Sequence, residues 1–322
     1  MSLQVDRLRV YYQTLYGDVQ ALDGVTFNLR DGEIMGLAGE SGCGKTTLSN
    51  ALIMMRPPMK YLEGKVYLDN EEIPVWDTDQ MNPIRYKKIS IIPQYAMNAM
   101  NPTRKIGKMI FELLESRRIH SAGVLPELKR RLDLVGLSHE VLKMYPIELS
   151  GGMKQRMVMV ISTLLDPSLL IADEITSALD VSTQRAVAEM LVEFRDRKIV
   201  KSMIIVTHDI SILYQIADSI LVMYAGKLVE KAVTEEIIRR PRHPYTRLLI
   251  SSLPKVGIQH DQKQLVGIPG NPPLLLNPPQ GCRFRQRCPL AHEKCIEEPP
   301  FIEINPDHYT ACWKEMEGHA IA

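Results

Sequence analysis

The sequence predicts an α/β fold with four parts. These are a parallel-sheet core built on a phosphate-binding loop, an antiparallel β subdomain, a helical subdomain, and an irregular, cysteine-rich C-terminal extension. Three observations predict it. First, Gly39-Glu40-Ser41-Gly42-Cys43-Gly44-Lys45-Thr46-Thr47 reads G-x-x-x-x-G-K-T, between an apolar run (Ile34 to Ala38) and a helix-forming run ending near Met55. Second, further apolar runs end in polar residues: Ile89 to Gln94, Leu169 to Glu174 and Met203 to His208. Third, composition changes near residues 240–265: 12 of 21 prolines lie at or beyond Pro241, and Cys282, Cys288, Cys295 and Cys312 follow.

Residues 3–30 read as antiparallel strands. Leu8 to Tyr12 and Ala21 to Leu29 flank a turn at Tyr16-Gly17-Asp18. Tyr16, the last aromatic before the turn, is placed to stack on an adenine; aromatics also favour strands for packing alone. In the loop that follows, glycines let the backbone curl so that successive N–H groups face phosphate oxygens. The helix N-terminus adds its positive end. Gly39, Ser41, Gly42, Cys43, Gly44, Lys45, Thr46 and Thr47 then form the nucleotide cradle. Lys45 reaches the β- and γ-phosphates and Thr46 ligates Mg²⁺. This is a P-loop NTPase core, and ATP with Mg²⁺ is what it calls for.

Glu63 to Asp69 reads as a strand and turn. Gln94, ending the next apolar run, is positioned for Mg²⁺ or the attacking water. Ile106, Met109, Ile110, Leu113 and Leu114 follow helical spacing, as do Leu128, Leu132 and Val135, giving a helical subdomain of about residues 96–165. It runs into Ser150-Gly151-Gly152, which opens a helix and makes a second anion-binding N-terminus. One ATP does not need two such sites far apart in one chain, so this loop is expected to close on the ATP of a neighbouring subunit. Ser150 is also an ordinary helix cap.

The run Leu169 to Ala172 delivers Asp173 and Glu174. Acids ending a buried strand are costly without a cation nearby. Asp173 suits Mg²⁺, and Glu174 suits polarising the water that attacks the γ-phosphate. His208 ends a further strand at the same sheet edge, where it can contact the γ-phosphate.

The balance of charge is 39 basic against 38 acidic residues, which argues against nucleic-acid binding by bulk electrostatics. The N-terminus has no signal-peptide pattern, and no apolar run is long enough to span a bilayer. A membrane role would come through partners. In the tail, the spacing Cys282-x5-Cys288-x6-Cys295-x16-Cys312 leaves three readings open: a [4Fe–4S] cluster, Zn²⁺, or unliganded thiols. Arg283, Arg285 and Arg287 lie among these cysteines and could offset a cluster's negative charge.

The order and spacing of these motifs resemble the ATP-binding subunits of ABC transporters over residues 3 to about 250. In family terms Gly39–Thr47 is Walker A, Gln94 the Q-loop and Leu149–Arg156 the signature. Leu169–Glu174 is Walker B, Ser177–Asp180 the D-loop and His208 the switch histidine. Ile175 stands where the family generally has proline. Asn98-Ala99-Met100-Asn101-Pro102, Met153 in the signature and Arg242-His243-Pro244-Tyr245-Thr246 look like the oligopeptide/dipeptide importer subfamily, D-type.

That resemblance implies a nucleotide-binding domain over 1–250 and a Pro-rich extension over 251–322 whose four cysteines bind a [4Fe–4S] cluster, with Zn²⁺ as the alternative. Asp180 joins the nucleotide site. The implied partners are a second ATPase (a distinct F-type subunit or a second copy), two transmembrane permeases and, indirectly, an extracytoplasmic solute-binding protein, with no nucleic acid. The implied location is the cytoplasmic face of the cell membrane. The competing reading is an ABC-type ATPase not coupled to transport, serving DNA, ribosomes or iron–sulfur assembly. The near-neutral charge and single nucleotide domain speak against service to DNA or ribosomes.

Overall fold

The computed structural model describes residues 1–94, 100–175, 180–252 and 267–317. Asn98 and Ala99, Thr176, the D-loop residues Ser177 to Leu179, and part of the expected domain boundary lie outside the described residues.

In chain order the first elements are β1 (Leu3–Thr14), β2 (Gly17–Leu29), β3 (Ile34–Ala38), α1 (Lys45–Ile53), β4 (Met59–Leu68), β5 (Glu71–Glu72), α2 (Thr78–Met81) and β6 (Ile89–Ile92). Next come α3 (Ile106–Ser116), α4 (Ser121–Leu134), α5 (Gly151–Thr163), β7 (Leu169–Asp173), α6 (Val181–Asp196), β8 (Ser202–Val206), α7 (Ile210–Ile216) and β9 (Ser219–Tyr224). The chain ends with β10 (Lys227–Val233), α8 (Thr234–Arg239), α9 (Pro244–Ser251), β11 (Ile302–Asn305), β12 (His308–Thr310) and α10 (Trp313–Glu317).

Two sheets form. One is antiparallel, in the order β2-β1-β4-β5. The other is mixed, in the order β11-β12-β10-β9-β3-β8-β7-β6, and β9, β3, β8, β7 and β6 run parallel. These parallel strands are largely apolar because both faces are covered. Their side chains alternate between two cores. Leu170, Ala172, Met203 and Ile205 join the helical side, with α3 to α7. Leu169, Ile171, Ile204 and Val206 join the opposite side, with α1 and the inner faces of β1, β2 and β4. Parallel alignment puts the C-terminal ends of β3, β6, β7 and β8 on one edge, where ligands bind in such folds.

The helices start where short polar side chains cap them. Ser150 accepts from the Met153 N–H, Asp180 from Thr183 and Asp209 from Ser211. A fully buried arginine ties α4 to α5: Arg131 Nη1 donates to the Thr163 carbonyl at 2.8 Å.

The extension departs from the expectation of an irregular tail. Its β11–β12 hairpin continues the mixed sheet, with Glu230 opposite Thr310 and Lys231 opposite Tyr309. Glu230 anchors it: its buried carboxylate accepts from the N–H groups of Arg242 (2.6 Å) and His243 (2.9 Å) and lies 2.7 Å from His308 Nε2. Such short strands leave little periodicity to read, and their pairing is non-local. Prolines therefore dominated the sequence signal.

Candidate functional site

The phosphate-binding loop joins β3 to α1 and requires its glycines. Gly39 has φ 148°, and a Cβ there would stand 2.3 Å from the Met223 carbonyl oxygen. Gly44 has φ 111°, with the Ala21 carbonyl oxygen 2.4 Å from any Cβ. Gly42 has nothing within 4 Å of that position, so its backbone faces open space. Ser41 is exposed beside it. Lys45 Nζ donates to the carbonyls of Gly39 (2.6 Å) and Glu40 (3.0 Å), folding across the loop. Cys43 is buried beneath, and burial pushes its thiol pKa up. Thr47 is buried, its hydroxyl 3.2 Å from that of Tyr12.

Asp173 ends β7 with 2% exposure, and its Oδ1 has no hydrogen-bond partner among the described residues. Burial, and then the neighbouring Glu174 carboxylate, raise its pKa to about 6, against a hydrogen bond from Thr46 and the charge of Lys45. An acid held this way fits a divalent cation, with Thr46 as the adjacent donor.

Glu174 sits at φ 49°, a sparsely populated conformation for a side-chain-bearing residue. Its Oε2 accepts from Gln94 Nε2 at 2.6 Å, and its Oε1 lies 3.8 Å from His208 Nδ1. The ends of β6, β7 and β8 thus converge on one carboxylate beside the phosphate loop. His208 is otherwise well exposed. Gln155 Nε2 braces the following turn by donating to the Ile175 carbonyl at 2.6 Å.

Ser150, Gly151 and Gly152 form the start of a different helix, α5. Nothing lies within 4 Å of a Cβ placed on either glycine. Asp180 caps α6 through Thr183, at 3.0 Å to its N–H and 2.7 Å to its hydroxyl. Tyr16 stands 87% exposed at the tip of the β1–β2 hairpin.

The comparisons with known proteins agree with this architecture. The family described as "ABC transporter" matches residues 22–177, and "Oligopeptide/dipeptide transporter, C-terminal region" matches residues 229–295. The chain is 37% identical over 325 residues to the dipeptide transport ATP-binding protein DppD of Caldanaerobacter subterraneus, covering 99% of this chain and 98% of that one. The chain belongs to the ABC-transporter ATP-binding subunits, among the oligopeptide/dipeptide group. It is also 37% identical over 318 residues to the oligopeptide transport ATP-binding protein OppD of Escherichia coli, covering 98% of this chain and 94% of that one. The dimeric MJ0796 cassette, a bacterial ABC transporter cassette, superposes with a TM-score of 0.62 at 24% identity, covering 72% of this chain and 98% of that chain; this likeness concerns the fold. This ABC-transporter subunit binds and hydrolyses ATP.

The four tail cysteines of this ABC subunit line one small cavity, together with His243, Phe284 and His292. Burial raises the thiol pKa values of Cys282, Cys288 and Cys312, that of Cys282 to about 11. Cys295 Sγ is 3.4 Å from His292 Nδ1. Among the described residues, no group of three or more His, Cys, Asp or Glu is already drawn together at metal-holding geometry. Two arginines expected to balance a cluster's charge are engaged elsewhere. Arg283 Nη2 donates to Asp23 at 2.5 Å, and Arg287 pairs with Glu40. Sequence reading missed Glu40 and its partner Tyr245, whose hydroxyl accepts from the Glu40 N–H at 2.8 Å. Glu40 occupies a variable position of the motif, and Arg287 is 247 residues away, so no local pattern marks the pair.

Proposed function

We propose that this subunit powers import of a peptide or related solute, as the ATPase of a multi-subunit membrane complex. The observation that carries the catalytic part is the convergence of Gln94 and His208 on Glu174 beside the phosphate loop. In this reading Gly39 to Thr47 hold the phosphates, with Lys45 at the β- and γ-phosphates, and Tyr16 stacks on the adenine. Glu174 polarises the attacking water, Gln94 orients Glu174, and His208 stabilises charge developing on the γ-phosphate. Thr46, Asp173 and Gln94 would hold Mg²⁺, which supplies charge neutralisation. Ser150, Gly151, Gly152 and Asp180 serve the ATP of a facing ATPase subunit; the open backbone at both signature glycines supports this. The names of the relatives support peptides as the solute class.

Residues 1–250 would act as the nucleotide-binding domain and 251–322 as an extension whose Cys282, Cys288, Cys295 and Cys312 hold a [4Fe–4S] cluster, with Zn²⁺ as the alternative. Four thiols on one cavity are the right donor set, and a bound cation would offset the cost of ionising buried thiols. The role is structural. Iron, sulfide and zinc analysis of protein purified without oxygen distinguishes the two.

The complex would sit at the cytoplasmic face of the membrane. Among the described residues no helix is long and apolar enough to cross it. Affinity purification from detergent-solubilised native membranes tests the assignment. Two polytopic permeases and an ATPase partner are expected. Ribosomal, DNA-bound or cluster-assembly proteins without any permease would overturn it.

A further inference from the structure

Arg287 precedes Cys288 in the extension, yet its guanidinium serves the phosphate loop. Nη1 lies 2.7 Å from Glu40 Oε2 and Nη2 3.0 Å from Glu40 Oε1, a two-point pairing of planar groups. The remaining donors are also used. Nε reaches the Pro269 carbonyl at 2.7 Å, Nη2 the Ile268 carbonyl at 3.3 Å and Nη1 the Tyr224 hydroxyl at 3.2 Å. The side chain is 5% exposed. This arginine is locked in place by the tail on one side and by the sheet on the other.

Glu40 is the second residue of the loop that cradles phosphate. Its carbonyl accepts from Lys45 Nζ, and its N–H donates to Tyr245. Tyr245 packs on Phe284 of the extension at 5.3 Å between ring centres, and Phe284 also contacts Tyr224 at 5.1 Å. The extension therefore grips one loop residue through its charge and, by way of Tyr245, its backbone. A carboxylate in this loop opposes an incoming triphosphate unless a cation neutralises and restrains it.

We propose that Arg287 is a positioning residue for ATP. It sets the phosphate-binding loop through Glu40 and cancels that carboxylate's repulsion, so nucleotide affinity depends on the folded four-cysteine extension. The inference rests on the reading of Gly39 to Thr47 as the nucleotide cradle.

The test measures affinity for a non-hydrolysable ATP analogue with Mg²⁺, using the full chain and its Arg287→Ala, Arg287→Lys, Glu40→Gln and Arg287→Ala/Glu40→Gln variants. Arg287→Ala is expected to weaken binding about tenfold, equivalent to about 1.4 kcal/mol. Arg287→Lys should recover only part of the loss, because a point charge cannot pair at two positions. Adding Glu40→Gln to Arg287→Ala should restore affinity to within about threefold of wild type, a rescue that a merely structural arginine would not show. In the complex, KM for ATP should rise with kcat held at saturating ATP. Unchanged affinity in a folded Arg287→Ala chain, or no rescue by Glu40→Gln, overturns the proposal. If Arg287→Ala does not fold, Arg287→Lys decides: wild-type affinity there overturns it. A wild-type chain that binds no nucleotide would instead break the underlying reading of the loop.

Discussion

Asp173 and Glu230 are both buried acids on strands of one sheet, and their surroundings are opposite. Glu230 is fully enclosed, with the N–H groups of Arg242 and His243 and the His308 ring turned onto its oxygens. Asp173 has an oxygen with no partner among the described residues and a carboxyl raised toward neutrality. The first acid is complete and holds the extension to the sheet. The second is left short on one oxygen, the feature that makes it the candidate cation ligand. A buried polar group satisfied by its own chain reads as architecture, and one left short reads as a binding site.

The contrast can be broken most sharply at Glu174, the half-buried neighbour of the incomplete acid. Glu174→Gln should lower ATP turnover by about 10²–10⁴-fold, the range for a general base. Nucleotide affinity should be retained, as a steady-state ATPase assay with parallel binding would show. Ordinary turnover in that variant would remove Glu174 from the chemistry.

The complete acid should behave differently. Glu230→Ala strands three buried donors at about 1–3 kcal/mol each, and with relaxation a net loss of about 3 kcal/mol is expected in urea unfolding. Hydrogen exchange should rise first over residues 302–310. A change near zero would mean that Glu230 is not the anchor.

The incomplete acid should yield a smaller effect of opposite sign. Asp173 titrates near 6 in the folded chain and near its ordinary value of about 3.9 when unfolded. Between those values the folded chain holds a proton that the unfolded chain has lost. Stability without nucleotide therefore falls as pH rises from about 4 to about 6. Asp173→Asn should stabilise the nucleotide-free protein at neutral pH by about 1–3 kcal/mol in thermal unfolding, flatten that pH dependence and abolish Mg²⁺-dependent turnover. In the wild type, Mg²⁺–nucleotide affinity should weaken as pH drops through about 6. A destabilised Asp173→Asn chain would contradict the raised carboxyl.

Much of the candidate site was legible because its parts are local. A glycine needed at positive φ, a lysine and threonine starting a helix, and an acid ending an apolar strand each leave a signature within a few residues. Gln94, Glu174 and His208 were legible one at a time, since each ends a strand of the same kind. Their meeting was an inference from parallel topology. The extension was less legible. Its prolines masked the β11–β12 hairpin, and the arginines between its cysteines looked like charge compensation for a cluster, whereas Arg283 and Arg287 reach Asp23 and Glu40.

By itself the sequence determined the phosphate loop, the strand-end acids, the helical spacing of the subdomain and the four thiols, because each is a short-range pattern of residue type. Only the tertiary structure decided which oxygens are left short, which arginine faces which acid, and that the tail completes the sheet and grips the loop. Those outcomes depend on groups far apart in the chain being buried together, where the pairing of each charge is set by what surrounds it and not by its neighbours in sequence.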